Sequence, residues 1–345
     1  MLNSSSLFLA GVPKSGTSAL MNWLGQHPGV TISRPKEPNY FNSDLPLGLC
    51  EDAASYLSHF RRRSGARGDG HHEGAGVGVG AAHNERSPQR PVRSPVRCDG
   101  SVLYCYSEVA ARRIAEDCAG ARVVIVVRDP VEVMHAWHGQ MRYTGNEPIA
   151  DFVAALRAEP RRAAGSTHGL VGLAARCPRL LCYRQLVRFA EQIERFRDAL
   201  GPDAVLVLTH EDLVAAPQAS YAKVLRHAGL DSSWSSSHRI DFRRMNEFKV
   251  RRWMPLHRAI KQCAATPTRQ LLAPAFRQRL IRGWDRLTSV AANRRPPLDP
   301  EVRCWLTAEL RPQVERLAAL LGRDLSHWWS RPRDHAASSV SEADT

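Results

Sequence analysis

Within eight residues, Gly11-Val-Pro-Lys-Ser-Gly-Thr-Ser18 gathers two glycines, a lysine and three hydroxyls. That set suits an anion. Glycines let backbone N–H groups turn inward, and a helix that starts at such a turn adds the partial positive charge of its N-terminus. Lys14 supplies a full charge, while Ser15, Thr17 and Ser18 supply hydroxyl donors. The anion is a phosphate or a sulfate. In the nucleoside-triphosphatase pattern G-x-x-x-x-G-K-[ST], the lysine directly follows the second glycine. Here Gly16 is followed by Thr17, and the lysine comes earlier, at Lys14. The cation therefore serves a group held inside the turn rather than the far end of a triphosphate.

Two further segments carry chemistry. Arg122-Val-Val-Ile-Val-Val-Arg-Asp-Pro130 is a continuous apolar run closed by charge and proline. Proline cannot continue a ladder, so the strand stops near Arg128 and presents it at the carboxyl edge, where open α/β sheets bind ligands. Lys36-Glu-Pro-Asn-Tyr-Phe41 sets a cation and a carboxylate side by side. Glu37 is a candidate proton acceptor, and a surface carboxylate paired with Lys36 or Arg34 is its bland alternative.

The elements that must position these residues follow from periodicity. Strands are expected at 6–11, 29–33, 122–128 and 204–209, as short apolar runs. Helices are expected at 18–26, 52–62, 107–117, 131–143, 149–157, 183–199, 218–228, 273–288 and 300–322. Strands alternating with helices predict an α/β fold, a P-loop-like parallel sheet covered by helices on both faces.

Taken together, the three segments resemble sulfotransferases that use 3′-phosphoadenosine-5′-phosphosulfate (PAPS). Pro13-Lys-Ser-Gly-Thr17 is similar to that family's 5′-phosphosulfate loop, and Arg128-Asp-Pro130 to the strand end whose arginine grips the 3′-phosphate. Lys36-Glu-Pro-Asn-Tyr-Phe41 is similar to the Lys-Glu-x-His-Phe-Phe element of heparan-sulfate-type members, whose glutamate is the catalytic base. The segments His138–Glu147 and Leu317–Trp328 also look like family sequence. The resemblance implies a sulfotransferase fold and transfer of a sulfuryl group from PAPS to a hydroxyl or amine of a carbohydrate, lipid or secondary metabolite, without a metal. It assigns Lys14 to the bridging oxygen and Glu37 to the acceptor proton. Thr17 and Ser18, with the loop N–H groups, hold the 5′-phosphate, Ser15 and Gly16 belong to the same donor-binding loop, and Lys36 orients the sulfuryl oxygens. A late basic loop, with Lys249 and Arg251, closes on the 3′-phosphate.

Composition sets the limits. A chain of 345 residues, 43% hydrophobic, buries the core of one large domain, expected over residues 1–330. Residues 61–97 hold eight arginines against three acids and many glycines and prolines. They are expected to form a disordered insertion, and 331–345 a disordered tail. No apolar run is long enough for a membrane span, and no secretory leader precedes the first strand, which predicts a cytoplasmic protein. The eight cysteines form no Cys-x-x-Cys pair, which argues against a zinc site. A net charge of +14 suits a polyanionic nucleotide and a small-molecule or glycan acceptor, and no motif for specific nucleic-acid recognition accompanies it. The oligomeric state is not written in the sequence.

Departures from the family pattern also matter. Eight residues after the arginine the family places a serine on the 3′-phosphate, and here that position is Ala136. Asn39 and Asn42 replace histidine and aspartate of the heparan type, which argues against the same acceptor. Three alternatives follow. His135 or His138 replaces Glu37 as the base, the protein binds PAPS without transferring it, or Asp129 serves a metal in a P-loop kinase or nucleotide hydrolase.

Overall fold

The computed structural model describes residues 2, 6–48, 50–60, 95–243, 248–251, 257, 288–292 and 295–329. Positions 61–94 of the expected 61–97 insertion, positions 273–287 of the expected helix 273–288, and the tail 331–345 lie outside the described residues. Five strands form one parallel sheet: β1 (Ser6–Gly11), β2 (Val30–Ile32), β3 (Val96–Asp99), β4 (Arg122–Val127) and β5 (Val205–Thr209), in the order β2-β3-β1-β4-β5. Two more, β6 (Phe248–Arg251) and β7 (Ser289–Ala292), pair antiparallel, with Lys249 opposite Ala291 and Arg251 opposite Ser289.

Helices along the chain are α1 (Thr17–Leu24), α2 (Ala53–Ser58), α3 (Ala110–Asp117), α4 (Pro130–Tyr143), α5 (Phe152–Arg157) and α6 (Glu159–Ala163). They continue as α7 (Leu173–Arg176), α8 (Tyr183–Leu186), α9 (Phe189–Leu200), α10 (His210–Ala215), α11 (Pro217–His227), α12 (Trp234–Ser237) and α13 (Pro300–Leu321). The chain divides into two compact units. One comprises Met1–Val127 with Ile193–Asn246, and the other Arg128–Gln192 with Glu247–Thr345.

The first unit holds the parallel sheet. β1 and β4 occupy its middle because both of their faces are apolar. Leu7, Phe8 and Leu9, and Val123 to Val127, are essentially inaccessible to water, as an α/β sheet demands of central strands. Helices α1 and α11 pack through Leu20, Trp23, Tyr221 and Leu225 into a core shared with Leu7, Leu9, Val124 and Val126.

β3 is a correction. Its first residues, Val96 and Arg97, belong to the sheet and not to the 61–97 insertion. Only four residues long and half polar, β3 is a strand because β1 and β2 flank it, with Leu7 opposite Cys98 and Thr31 opposite Arg97. The expected single helix 183–199 is a second correction, because α8 ends at Leu186 and α9 begins at Phe189. Gln192 stabilises the break, since its Nε2 donates to the Leu186 carbonyl at 3.1 Å, filling an acceptor that a helix end leaves open.

In the second unit, α4 begins with Asp129 as N-cap and Pro130 in the first turn, a favoured start. Behind it lies a buried cluster in which Glu147 pairs with Arg162 at 2.8 Å and accepts the Tyr183 hydroxyl at 2.6 Å. Arg142 donates to the Glu147 and Pro148 carbonyls, so the polypeptide following α4 is tied back to the helix.

Candidate functional site

The loop after β1 runs from Val12 to Gly16 and delivers the chain into α1. Two residues take left-handed backbone, Lys14 at φ 66° and Gly16 at φ 96°. Gly16 is the α1 N-cap, and a side chain there is excluded twice, by the dihedral and by space. A Cβ would stand 3.2 Å from both His210 Nδ1 and Leu213 Cδ1. At Gly11 the limit is a close approach, since a Cβ would lie 2.7 Å from Cys105 Sγ. His210, the first residue of α10, supports the loop from below, its Nδ1 3.2 Å from the Ser15 carbonyl oxygen.

The α1 N-terminus is left open. No side chain caps it, and no acidic residue lies in its first turn. The Ala19 N–H turns back to the Gly16 carbonyl at 3.0 Å. Among the described residues no side chain takes the Thr17 and Ser18 N–H groups, where the partial positive charge of the helix is centred. Ser15 is fully buried, and its Oγ has no hydrogen-bond partner. A buried hydroxyl left without a partner costs free energy and calls for an occupant. Thr17 is buried and Ser18 half-buried at the same helix start.

Lys36 and Glu37 lie beside this loop. Lys36 Nζ donates to Ser18 Oγ at 3.0 Å and pairs with Glu37 Oε1 at 3.2 Å. The Lys36 pairing expected of a surface carboxylate thus exists, but it lies beside Ser18 at the start of α1. Both side chains remain about one-third exposed.

A relay of hydroxyls fixes the backbone after Glu37. Asp99, at the end of β3, accepts from Ser101 Oγ at 2.7 Å on one carboxylate oxygen. The other accepts from Tyr104 at 2.8 Å and from Tyr56 at 3.2 Å. Those hydroxyls accept in turn, Ser101 Oγ from Asn39 N–H and the Tyr104 oxygen from Tyr40 and Phe41 N–H. Asn39 Nδ2 donates to the Glu37 carbonyl at 3.0 Å. Burial pushes the Asp99 carboxyl up to about 6, against the pull of these donors.

Arg128 follows β4 and belongs to the second unit. Its Nη2 lies 3.4 Å from Glu132 Oε2. Arg303, in the first turn of α13, contacts Glu132 Oε1 at 2.6 Å and Asp129 Oδ2 at 2.7 Å. Arg295 adds a third cation to the field of Arg128 and Glu132, and its own pKa is lowered, chiefly by burial. Burial works against ionised Glu132, but Arg128 and Arg303 outweigh it and hold that carboxyl below its ordinary value. Burial also raises Asp129, with Arg303 opposing.

The structure therefore brings Lys14, Ser15, Gly16, Thr17, Ser18 and Glu37 together in one unit, and places Arg128 in the other. Lys249 and Arg251 fall on β6, on a strand rather than a loop. Asp129 spends one oxygen on the Val131 N–H and the other on Arg303, which is the work of a cap and an ion pair rather than of a metal ligand. The two histidine alternatives are engaged in packing. His138 is buried, its Nε2 3.0 Å from the Ile149 carbonyl and its ring against Phe152 and Tyr183. His135 packs near Phe152, and burial, followed by Arg295, depresses its pKa to about 4.

Sequence reasoning missed Arg303, Arg295 and the Asp99 relay, and did not single out His210. The signal for His210 was present, since Thr209-x-x-Asp212 is a capping box that starts a helix at the end of β5. Among the described residues no group of histidine, cysteine and carboxylate side chains has metal-site geometry, and no helix is long and apolar enough to cross a membrane.

Comparison with known proteins follows the same outline. The crystal structure of a sulfotransferase from Alicyclobacillus acidocaldarius superposes with a TM-score of 0.60 at 20% identity, over 93% of this chain and 97% of that one. A search of curated proteins returned no match. Residues 6–236, more than half of the chain and inclusive of both βα junctions described above, match the model of the Sulfotransferase family, and the chain belongs to that family.

Proposed function

We propose that the protein transfers a sulfuryl group from PAPS to a hydroxyl or amine of a small-molecule or glycan acceptor, with Glu37 as base. The buried, partnerless Ser15 hydroxyl within an uncapped, acid-free helix start carries this reading. Those residues fit the sulfated end of PAPS. Ser15, Thr17 and Ser18, with the loop N–H groups, would hold its 5′-phosphate, Lys14 its bridging oxygen and Arg128 its 3′-phosphate. Lys249 and Arg251 are further candidates for the 3′-phosphate. Bound PAPS supplies an activated sulfuryl group with a phosphate leaving group.

The remaining chemistry belongs to the side chains. In-line transfer builds charge on the leaving oxygen, which a preorganised cation stabilises; Lys14 meets that demand. Glu37 takes the proton of the attacking hydroxyl or amine on a carboxylate oxygen. Lys36 couples the two events. Its ammonium lies between Ser18 Oγ and Glu37 Oε1, so an anion at the α1 N-terminus competes with Glu37 for it. Binding of the donor then loosens the ion pair that occupies the base. The Asp99 relay holds the backbone on which Glu37 is mounted.

The test is calorimetric titration with 3′-phosphoadenosine-5′-phosphate beside ATP with Mg²⁺. Micromolar or tighter binding of the former alone supports the donor assignment and justifies an acceptor screen. Binding of ATP with Mg²⁺ alone overturns it in favour of a kinase or hydrolase. Tight nucleotide binding with no turnover on any acceptor marks a PAPS-binding protein that does not transfer.

A further inference from the structure

We propose that Arg303 is a positioning residue for nucleotide selectivity, drawing the Glu132 carboxylate away from Arg128 so that Arg128 can hold a 3′-phosphate. This inference rests on the assignment of Arg128 to that phosphate and goes beyond it. Glu132 lies one helical turn after Arg128, close enough to neutralise it. Its two oxygens are divided unequally, with Oε1 2.6 Å from Arg303 and Oε2 3.4 Å from Arg128. The shorter contact lies on the Arg303 side. Arg303 is held in place by a second carboxylate, since its other terminal nitrogen lies 2.7 Å from Asp129 Oδ2. A planar guanidinium spans two carboxylates in this way, while a lysine ammonium offers one point charge.

The charge count agrees. Asp129 and Glu132 bring two negative charges next to Arg128. Arg303 offsets one of them, and Arg128 with Arg295 brings the cluster to three cations against two carboxylates, so it keeps the net positive charge that an incoming phosphate needs. Without Arg303, Glu132 turns fully to Arg128 and competes with the phosphate for the same N–H donors. The start of α13 delivers Arg303 to this point. Asp299 caps the helix by accepting from Glu301 and Val302 N–H, which sets Arg303 in the opening turn.

The experiment compares the affinities of 3′-phosphoadenosine-5′-phosphate and adenosine-5′-phosphate in wild type, Arg303→Gln, Glu132→Gln and the double variant, with thermal melts on each. Wild type is expected to prefer the 3′-phosphorylated nucleotide by roughly 100-fold, in line with a charge-assisted contact. Arg303→Gln is expected to cut that preference about tenfold and to leave adenosine-5′-phosphate affinity within twofold. Glu132→Gln in the Arg303→Gln background is expected to restore the preference, which repair of a purely structural defect would not do. Glu132→Gln alone, which leaves Asp129 paired with Arg303, is expected to raise the preference severalfold and keeps the test decisive if Arg303→Gln does not fold. An unchanged preference in folded Arg303→Gln, a loss that Glu132→Gln does not rescue, or no gain in Glu132→Gln alone overturns the proposal. If Arg128→Ala leaves the wild-type preference intact, the assignment of Arg128 itself falls, and this inference with it.

Discussion

The junction after β1 and the junction after β4 start from the same architecture, a buried parallel strand feeding a helix, and treat the helix N-terminus in opposite ways. At α1 the N-cap is Gly16, with no side-chain acceptor and no acid in the first turn. At α4 the N-cap is Asp129, its carboxylate on the Val131 N–H, with Glu132 in the same turn. The first junction has no capping side chain on its helix start, and the second satisfies its own internally. A third junction, from β5 to α10, is also self-satisfied, through the reciprocal Thr209–Asp212 capping box. On the proposed reading, an anion at the first junction would be held by backbone and hydroxyls. At the second it would be held by arginine side chains, whose neighbouring carboxylates Asp129 and Glu132 are paired with Arg303.

Substitutions can break this contrast. The largest expected effect is that of Glu37→Gln. The loss of a general base should lower transfer by about 10²–10⁴-fold, with affinity for 3′-phosphoadenosine-5′-phosphate within twofold of wild type by calorimetry. Normal transfer would remove Glu37 from the base role and make His135 and His138 the next substitutions to test.

Next comes Lys14→Ala, which deletes the full charge from the backbone-built junction. Loss of a charge-assisted contact of about 1.5–3 kcal/mol predicts roughly 10–150-fold weaker nucleotide binding. Unchanged affinity would mean that the open helix start alone holds the anion.

Asp99→Asn sharpens the comparison by testing a carboxylate that is buried for positioning rather than capping. Its folded pKa of about 6 lies above the ordinary 3.8, so between those values the native state binds more protons than the unfolded one. Its contribution to stability is thus fully present below about 4 and is lost as pH rises through 6, up to about 3 kcal/mol. Denaturant titrations at pH 4.5 and 7.5 should show wild type losing about 2 kcal/mol of that increment relative to Asp99→Asn. Equal slopes would place the carboxyl in a less costly environment. Tyr104→Phe, which removes the acceptor for the Tyr40 and Phe41 amides, should speed hydrogen exchange at Tyr40 and Phe41 about tenfold and leave β1 and β4 unaffected.

The smallest effect is expected of Ala136→Ser. Restoring a hydroxyl beside the arginine junction should tighten binding of 3′-phosphoadenosine-5′-phosphate severalfold. No change would mean that the phosphate does not reach this side of α4, where Ala136 is buried.

What was legible from the chain follows from locality. β1, β4 and β5 are apolar runs bounded by glycine, proline or charge, and they stand within a residue or two of the expected places. Gly16, Lys14 and the hydroxyls were legible because a loop–helix junction is encoded by neighbours in sequence. The resemblance to sulfotransferases was legible in the same short segments, and the match of the family model over residues 6–236 shows the membership. β3 was hidden because Val96-Arg-Cys-Asp99 carries too little apolar surface to declare itself, and only its partners on both sides make it a strand.

The sequence by itself determined the α/β class, the loop–helix junction at 11–18 and the order of the chemistry-bearing segments, since each depends on periodicity, turn chemistry and residue type within a few positions. Only the tertiary structure decided which charges face one another. Arg303 reaches Asp129 and Glu132 across more than 170 residues, and Asp99, Ser101 and Tyr104 anchor the backbone of 39–41 across about 60. Such pairings depend on burial and on electrostatics at a few ångströms, and separation along the chain carries no information about either.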